Sequence, residues 1–134
     1  MRRFLIPALL AGAVLLSACG SSSDSTSSSS APAPKATAGQ TIKLKADADG
    51  GLYFEPRRLK ARSGKLTVVM DNPSSSGKQH GIAVEGSGVD KDGQIVSPGS
   101  KSTIIVTLKP GTYEYYCPVS SHKAAGMKGT LVVS

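Results

Sequence analysis

Residues 103–133 read TIIVTLKPGTYEYYCPVSSHKAAGMKGTLVV, and the periodicity of this stretch decides the fold. Thr103 to Leu108 and Gly111 to Cys117 are rich in β-branched and aromatic residues, and Tyr113, Tyr115 and Cys117 recur at every second position, which places them on one face of a strand. Lys109-Pro110-Gly111 supplies the turn between the two runs, so they are predicted to form a hairpin. Met127 leads into a last strand, Lys128 to Val133, and the ten residues between Cys117 and Lys128 are left as a loop.

The pattern continues outward toward the N-terminus. Ile42, Leu44 and Ala46 alternate with polar residues, Leu66 to Met70 is a buried-strand run, and His80-Gly81-Ile82-Ala83-Val84 is another. Turn signals separate these runs at Asp49-Gly50-Gly51, Ser63-Gly64, Asn72-Pro73, Asp92-Gly93 and Pro98-Gly99. No segment carries a long helical period, so residues 41–134 are predicted to be one all-β sandwich, with 71–79 and 85–94 as its two longer loops, either with room for a short helical turn. Arg57, Arg58, Lys60 and Arg62 crowd one predicted edge strand, where charge usually serves as a solvated face that resists aggregation.

The preceding forty residues read differently. Arg2 and Arg3 followed by the apolar run Leu5 to Leu16 form a targeting signal over residues 1–18, too short to span a bilayer comfortably. Leu16-Ser17-Ala18-Cys19 resembles a bacterial lipobox, which implies cleavage before Cys19 and acylation of that residue. Residues 19–40 would then be the anchor plus a Ser, Ala and Pro tether with too few apolar side chains to offset the entropy of ordering. About twenty flexible residues reach on the order of 25 Å. The expected location is the outer face of a bacterial membrane, in the cell envelope or periplasm.

Composition narrows the function. The chain has 134 residues, two Cys, two His and no Trp. Two His exclude any site built from three imidazoles, and no C-x-x-C-H stretch exists for haem attachment. With Cys19 assigned to the lipid, Cys117 is an unpaired thiol in an oxidising compartment, where burial or a metal must protect it. Cys117, His122 and Met127 stand as C-x4-H-x4-M between two strands. Thiolate, imidazole and thioether are soft donors that favour copper, and two imidazoles with one thiolate and a weak axial thioether make a blue-copper site. His80 is the one other imidazole available to complete it.

Phe54-Glu55-Pro56, Leu59, Gly64, Leu66, Val68, Asn72, His80, Pro98-Gly99, Leu108, Pro110-Gly111, Tyr113, Tyr115, Cys117, His122, Gly126-Met127 and Gly129 to Val133 fall in an order that resembles the cupredoxins, with a ligand-loop spacing most similar to auracyanin. The resemblance implies a Greek-key β-sandwich and one type 1 copper held strongly by His80, Cys117 and His122 and weakly by Met127. It also implies an electron route through His122, at the end of the domain, and a second through Tyr116 beside the thiolate. Two departures stand out. Gly81 replaces the Asn that commonly follows the first His and ties its strand to the Cys loop, so the site is expected to be looser. Ser120-Ser121 replaces a frequent Pro-Gly pair before the second His. Pro118 leaves the Val119 N–H, with that of Gly81, free to bond the thiolate.

The expected function is single-electron transfer by a monomer between redox proteins such as cytochromes or membrane oxidoreductases, with the membrane engaged through the lipid. Four protein donors leave no position for a substrate, so the chain is expected not to be an enzyme. A copper-delivery protein is the alternative; a zinc ion at the same donors would be adventitious. A CuA centre needs a second Cys at 121, which is Ser. Residues 41–134 carry 13 Lys plus Arg against 8 Asp plus Glu, but no recognition motif for nucleic acid.

Overall fold

The computed structural model describes residues 39–134; the targeting segment, Cys19 and nearly all of the predicted tether lie outside the described residues. Nine strands follow one another: β1 (Gln40–Ala46), β2 (Phe54–Glu55), β3 (Arg58–Ala61), β4 (Gly64–Asn72), β5 (Ala83–Gly86), β6 (Val89–Asp92), β7 (Ser100–Leu108), β8 (Gly111–Tyr116) and β9 (Lys128–Val133). They form two sheets, ordered β2-β1-β4-β7 and β3-β9-β8-β5-β6. The pairs β1/β4 and β3/β9 are parallel and the others antiparallel, and the non-sequential order carries the chain back and forth between the sheets of a Greek-key sandwich. No helix among the described residues is long and apolar enough to cross a membrane.

Strand alternation builds the core. Leu66, Val68 and Met70 of β4 face Ile104, Val106 and Leu108 of β7 within one sheet, and across the sandwich they meet Tyr113, Tyr115 and Leu131. Phe54 and Tyr115 are fully buried with ring centroids 5.8 Å apart. The Tyr115 hydroxyl donates to the carbonyl of Pro56, which satisfies its one polar atom, and burial pushes the phenol pKa up to about 12.

Four expectations are corrected. The runs 103–108 and 111–117 do not form a hairpin: β7 pairs with β4, whereas β8 pairs with β9 and β5 in the other sheet. Each run alternates and a tight turn joins them, and this local pattern serves a crossover between sheets as well as a hairpin. The predicted strand 80–84 begins at Ala83; His80 makes only an isolated bridge with Val96. Residues 85–94 are largely the β5–β6 hairpin, turned by Ser87 and Gly88 at φ 48° and 79°, both in the left-handed region that a type I′ turn requires. Asp71 and Asn72 extend β4, which shortens the other loop to a stretch containing a 3₁₀ turn at Ser74–Ser76. The basic edge is as expected: β3 ends its sheet, and Arg57, Arg58, Lys60 and Arg62 are exposed.

Candidate metal centre

Cys117 follows the last residue of β8, where the strand's alternation turns its side chain inward and buries it completely. Its main chain is fixed by an N–H donated to the carbonyl of Met127 at 3.0 Å. Beyond it the chain closes a compact loop: His122 N–H donates to Val119 O at 3.1 Å, Ala125 N–H to Ser121 O at 2.9 Å, and Met127 N–H to His122 O at 3.0 Å. Met127, fully buried, is thus bound through its backbone to both Cys117 and His122. Ser121 takes φ 67°, the left-handed conformation that glycine adopts freely, so the loop keeps this turn without glycine at a cost of roughly 1 kcal/mol.

His80 arrives from the opposite side. Its backbone exchanges two hydrogen bonds with Val96, at 3.1 and 2.8 Å. Asn72, at the end of β4 and fully buried, donates through Nδ2 to the carbonyls of Lys78 and Val96 at 2.9 and 3.1 Å and accepts from the Ser76 hydroxyl at 2.7 Å. These bonds clamp the segment that delivers His80. Sequence reading treats Asn72-Pro73 as a turn signal and misses this role; a polar residue at the buried parity of β4 is the local clue.

The donors converge. His80 Nδ1 lies 3.8 Å from Cys117 Sγ and His122 Nδ1 3.5 Å from it, and ligand atoms of the three residues all lie within 4.8 Å of one another. Both separations fall inside the span of roughly 4.3 Å that one ion can bridge with bonds of about 2.0 Å to nitrogen and 2.3 Å to sulfur. His80 is fully buried and His122 half-buried, so one imidazole is enclosed and the other reaches the surface. The Nε2 of His80 has no hydrogen-bond partner among the described residues, while its Nδ1 is on the sulfur side.

Electrostatics prepares neutral nitrogens. Burial, with His122 and Lys78 nearby, lowers the His80 pKa to about 4, and burial with Lys78 also lowers that of His122. Both imidazoles are unprotonated and able to ligate near neutral pH. Burial pushes the Cys117 thiol up, against which the backbone N–H groups of Gly81 and Val119 donate to the sulfur and favour the thiolate. A cation at the centre adds to that preference, as ligation requires a deprotonated thiol.

Gly81 has a steric reason. A Cβ there would lie 3.0 Å from the carbonyl oxygen of Gln94 and 3.1 Å from Cγ of Pro118. The close approach that gives its N–H access to the sulfur therefore crowds a side chain, for which Gln94 and Pro118 would have to give by a few tenths of an ångström. Tyr116 is half-buried on the outer side of the same sheet and donates its hydroxyl to Asp92 at 3.2 Å. Cys19 lies outside the described residues.

This donor set, two imidazoles, one thiolate and a buried thioether side chain on an adjoining backbone, fits copper by its softness. The comparisons agree with that chemistry. The family described as a cupredoxin-like domain matches residues 8–133. The chain is 32% identical over 107 residues to the chloroplastic plastocyanin of Chlamydomonas reinhardtii, covering 73% of this chain and 69% of that protein. It is 31% identical over 102 residues to that of Physcomitrium patens, covering 70% of this chain but only 57% of that longer relative. The reduced auracyanin of the photosynthetic bacterium Roseiflexus castenholzii superposes with a TM-score of 0.63 at 25% identity, covering 72% of this chain and 98% of that one. His80, Cys117, His122 and Met127 form a candidate type 1 copper site, and the chain belongs to the cupredoxin family.

Proposed function

We propose that this protein carries single electrons between redox partners at the outer face of a bacterial membrane, to which acylated Cys19 tethers it. The observation that supports this most is the gathering of Cys117 with His80 and His122 within 4.8 Å, from segments 37 and five residues away. Copper bound there would supply a one-electron couple. The chain's own residues do the rest. His80 and Cys117 are fully buried and exclude water, and the loop's internal hydrogen bonds hold His122 and Met127 in one arrangement. A rigid donor set moves little when the electron is gained or lost, so little rearrangement opposes the transfer. Four protein donors leave no open position for substrate, which supports a carrier and not an enzyme; enclosure of His80 and Cys117 disfavours the exchangeable site that copper delivery needs.

His122, half-buried next to the surface, is the exit for the electron, and Tyr116, adjacent to Cys117, offers a second route. The partners are redox proteins such as cytochromes or membrane oxidoreductases, met by a monomer.

The experiment is copper loading of the purified chain followed by optical and paramagnetic-resonance spectra and voltammetry. An intense blue absorption is expected. Met127→Leu should keep copper and raise the potential by on the order of 60 mV, a tenfold shift in a one-electron couple, because loss of the thioether weakens Cu(II) binding more than Cu(I) binding. A lowered potential contradicts the axial role.

For the anchor, Cys19→Ala should move the protein from the membrane pellet to the soluble fraction on fractionation, since acyl chains hold a protein stably only when present together. Unchanged membrane association counts against acylation.

A further inference from the structure

The backbone hydrogen bonds of the loop 118–126 run mostly among its own residues, with Met127 and Lys128 closing its C-terminal end. Such a loop needs something to hold it against the sheet. Among the described residues, Lys123 is the one member of this loop whose side chain hydrogen-bonds to a strand. Its ammonium donates to Glu85 of β5 at 2.5 Å, reaches Glu114 of β8 at 3.1 Å, and lies 4.0 Å from the centroid of the Tyr116 ring. Lys128 approaches Glu114 from β9 at 3.6 Å.

The strand register explains why a cation belongs there. Glu85 and Glu114 are directly opposite each other in the β5/β8 pair. Like charges so placed repel, and the Lys123 ammonium between them converts the repulsion into two attractions. Contact with the face of the Tyr116 ring adds a cation–π term. The ammonium and carboxylates are each a third or more exposed, so water and salt weaken each pair; a cation shared by two acids and a ring outlasts an isolated surface pair.

Placement gives the network its consequence. Glu85 lies on the segment that carries His80, five residues further on, and Lys123 is next to His122. Residue 81 is glycine and has no side chain with which to tie these segments. We propose that Lys123 is a positioning residue that ties the His122 loop to the His80 segment through Glu85 and Glu114, and so keeps the two imidazoles in register on Cys117. The inference rests on the reading of both His as ligands of one ion.

The test compares the full chain with its Lys123→Gln and Lys123→Arg variants. In the metal-free protein, amide exchange at Met127 and Ala125 should rise about tenfold in Lys123→Gln, a local loosening, while amides of β4 and β7 keep their rates. Lys123→Arg, which retains the charge, should stay within about twofold of the parent. In the copper-loaded protein, release to a chelator should quicken by about the same factor in Lys123→Gln, with a changed thiolate absorption. Added salt should speed loop exchange in the parent and leave Lys123→Gln unaffected. Parental exchange at Met127 and Ala125 in Lys123→Gln overturns the proposal, as does an increase shared equally by β4 and β7. A chain that takes up no copper overturns the proposed function, and the exchange rates still decide the role of Lys123.

Discussion

Cys117→Ser is expected to abolish the blue colour predicted for the copper-loaded protein. The absorption arises from charge transfer out of a thiolate, and Cys117 is the one free cysteine among the described residues. A hydroxyl is a hard donor that stays protonated near neutral pH, so it supplies neither the transition nor the soft bond that favours Cu(I). The loss is expected to be complete. The fold should survive, because Ser is close to Cys in size and its oxygen can accept the N–H groups of Gly81 and Val119 that bond the sulfur. Circular dichroism separates the two effects: a folded, colourless variant supports Cys117 as the thiolate ligand, and one that remains blue refutes the assignment.

Gly129→Ala is expected to unfold the sandwich at a much lower temperature. Gly129 faces Tyr115 in the β8/β9 pair, and an added Cβ would overlap the phenol ring at Cζ and Oη and come within 2.6 Å of the carbonyl oxygen of Arg57. Neither neighbour is free to yield. The ring is fully buried against Phe54 with its hydroxyl on Pro56 O, and Arg57 O accepts from Thr130 N–H at 3.0 Å. Overpacking and the disturbed hydrogen bond together should cost about 3 kcal/mol. For a domain near 100 residues this lowers Tm by roughly 12–24 °C, measurable by calorimetry on metal-free protein. A drop of under about 3 °C would falsify the view that Tyr115 and β9 are rigidly packed. Tyr115 is two residues from Cys117, so a displaced ring should also disturb the site.

Some of this was legible in the chain. The period-two runs Leu66 to Met70 and Tyr113 to Cys117 became buried strand faces, since alternation directly sets which side chains leave the water. Cys117, His122 and Met127 were visible as a spacing because a single short loop carries all three. Their joining to His80 was an inference from donor chemistry; 37 residues separate it from Cys117, and the clamp by Asn72 and Val96 that delivers it is non-local.

Other features were hidden for physical reasons. The turn at Pro110-Gly111 has the same residues whether it reverses a strand within its sheet or passes it to the other, and only the pairing of β7 with β4 and of β8 with β9 decides. Gly81 read as a missing tie; only the fold shows that Pro118 and Gln94 crowd the place a Cβ would take. The sequence gives Lys123 no role; its contacts depend on the register that sets Glu85 opposite Glu114.

By itself, then, the order of residues determined the elements and the donor chemistry: alternation, turn residues and soft ligand atoms are properties of neighbours along the chain. Which sheet each strand joins, how His80 meets the Cys117 loop and which cation bridges two carboxylates were decided by tertiary structure. Those outcomes depend on packing and Coulomb contact between segments far apart in sequence, whose energies exist only once the two sheets have closed on each other.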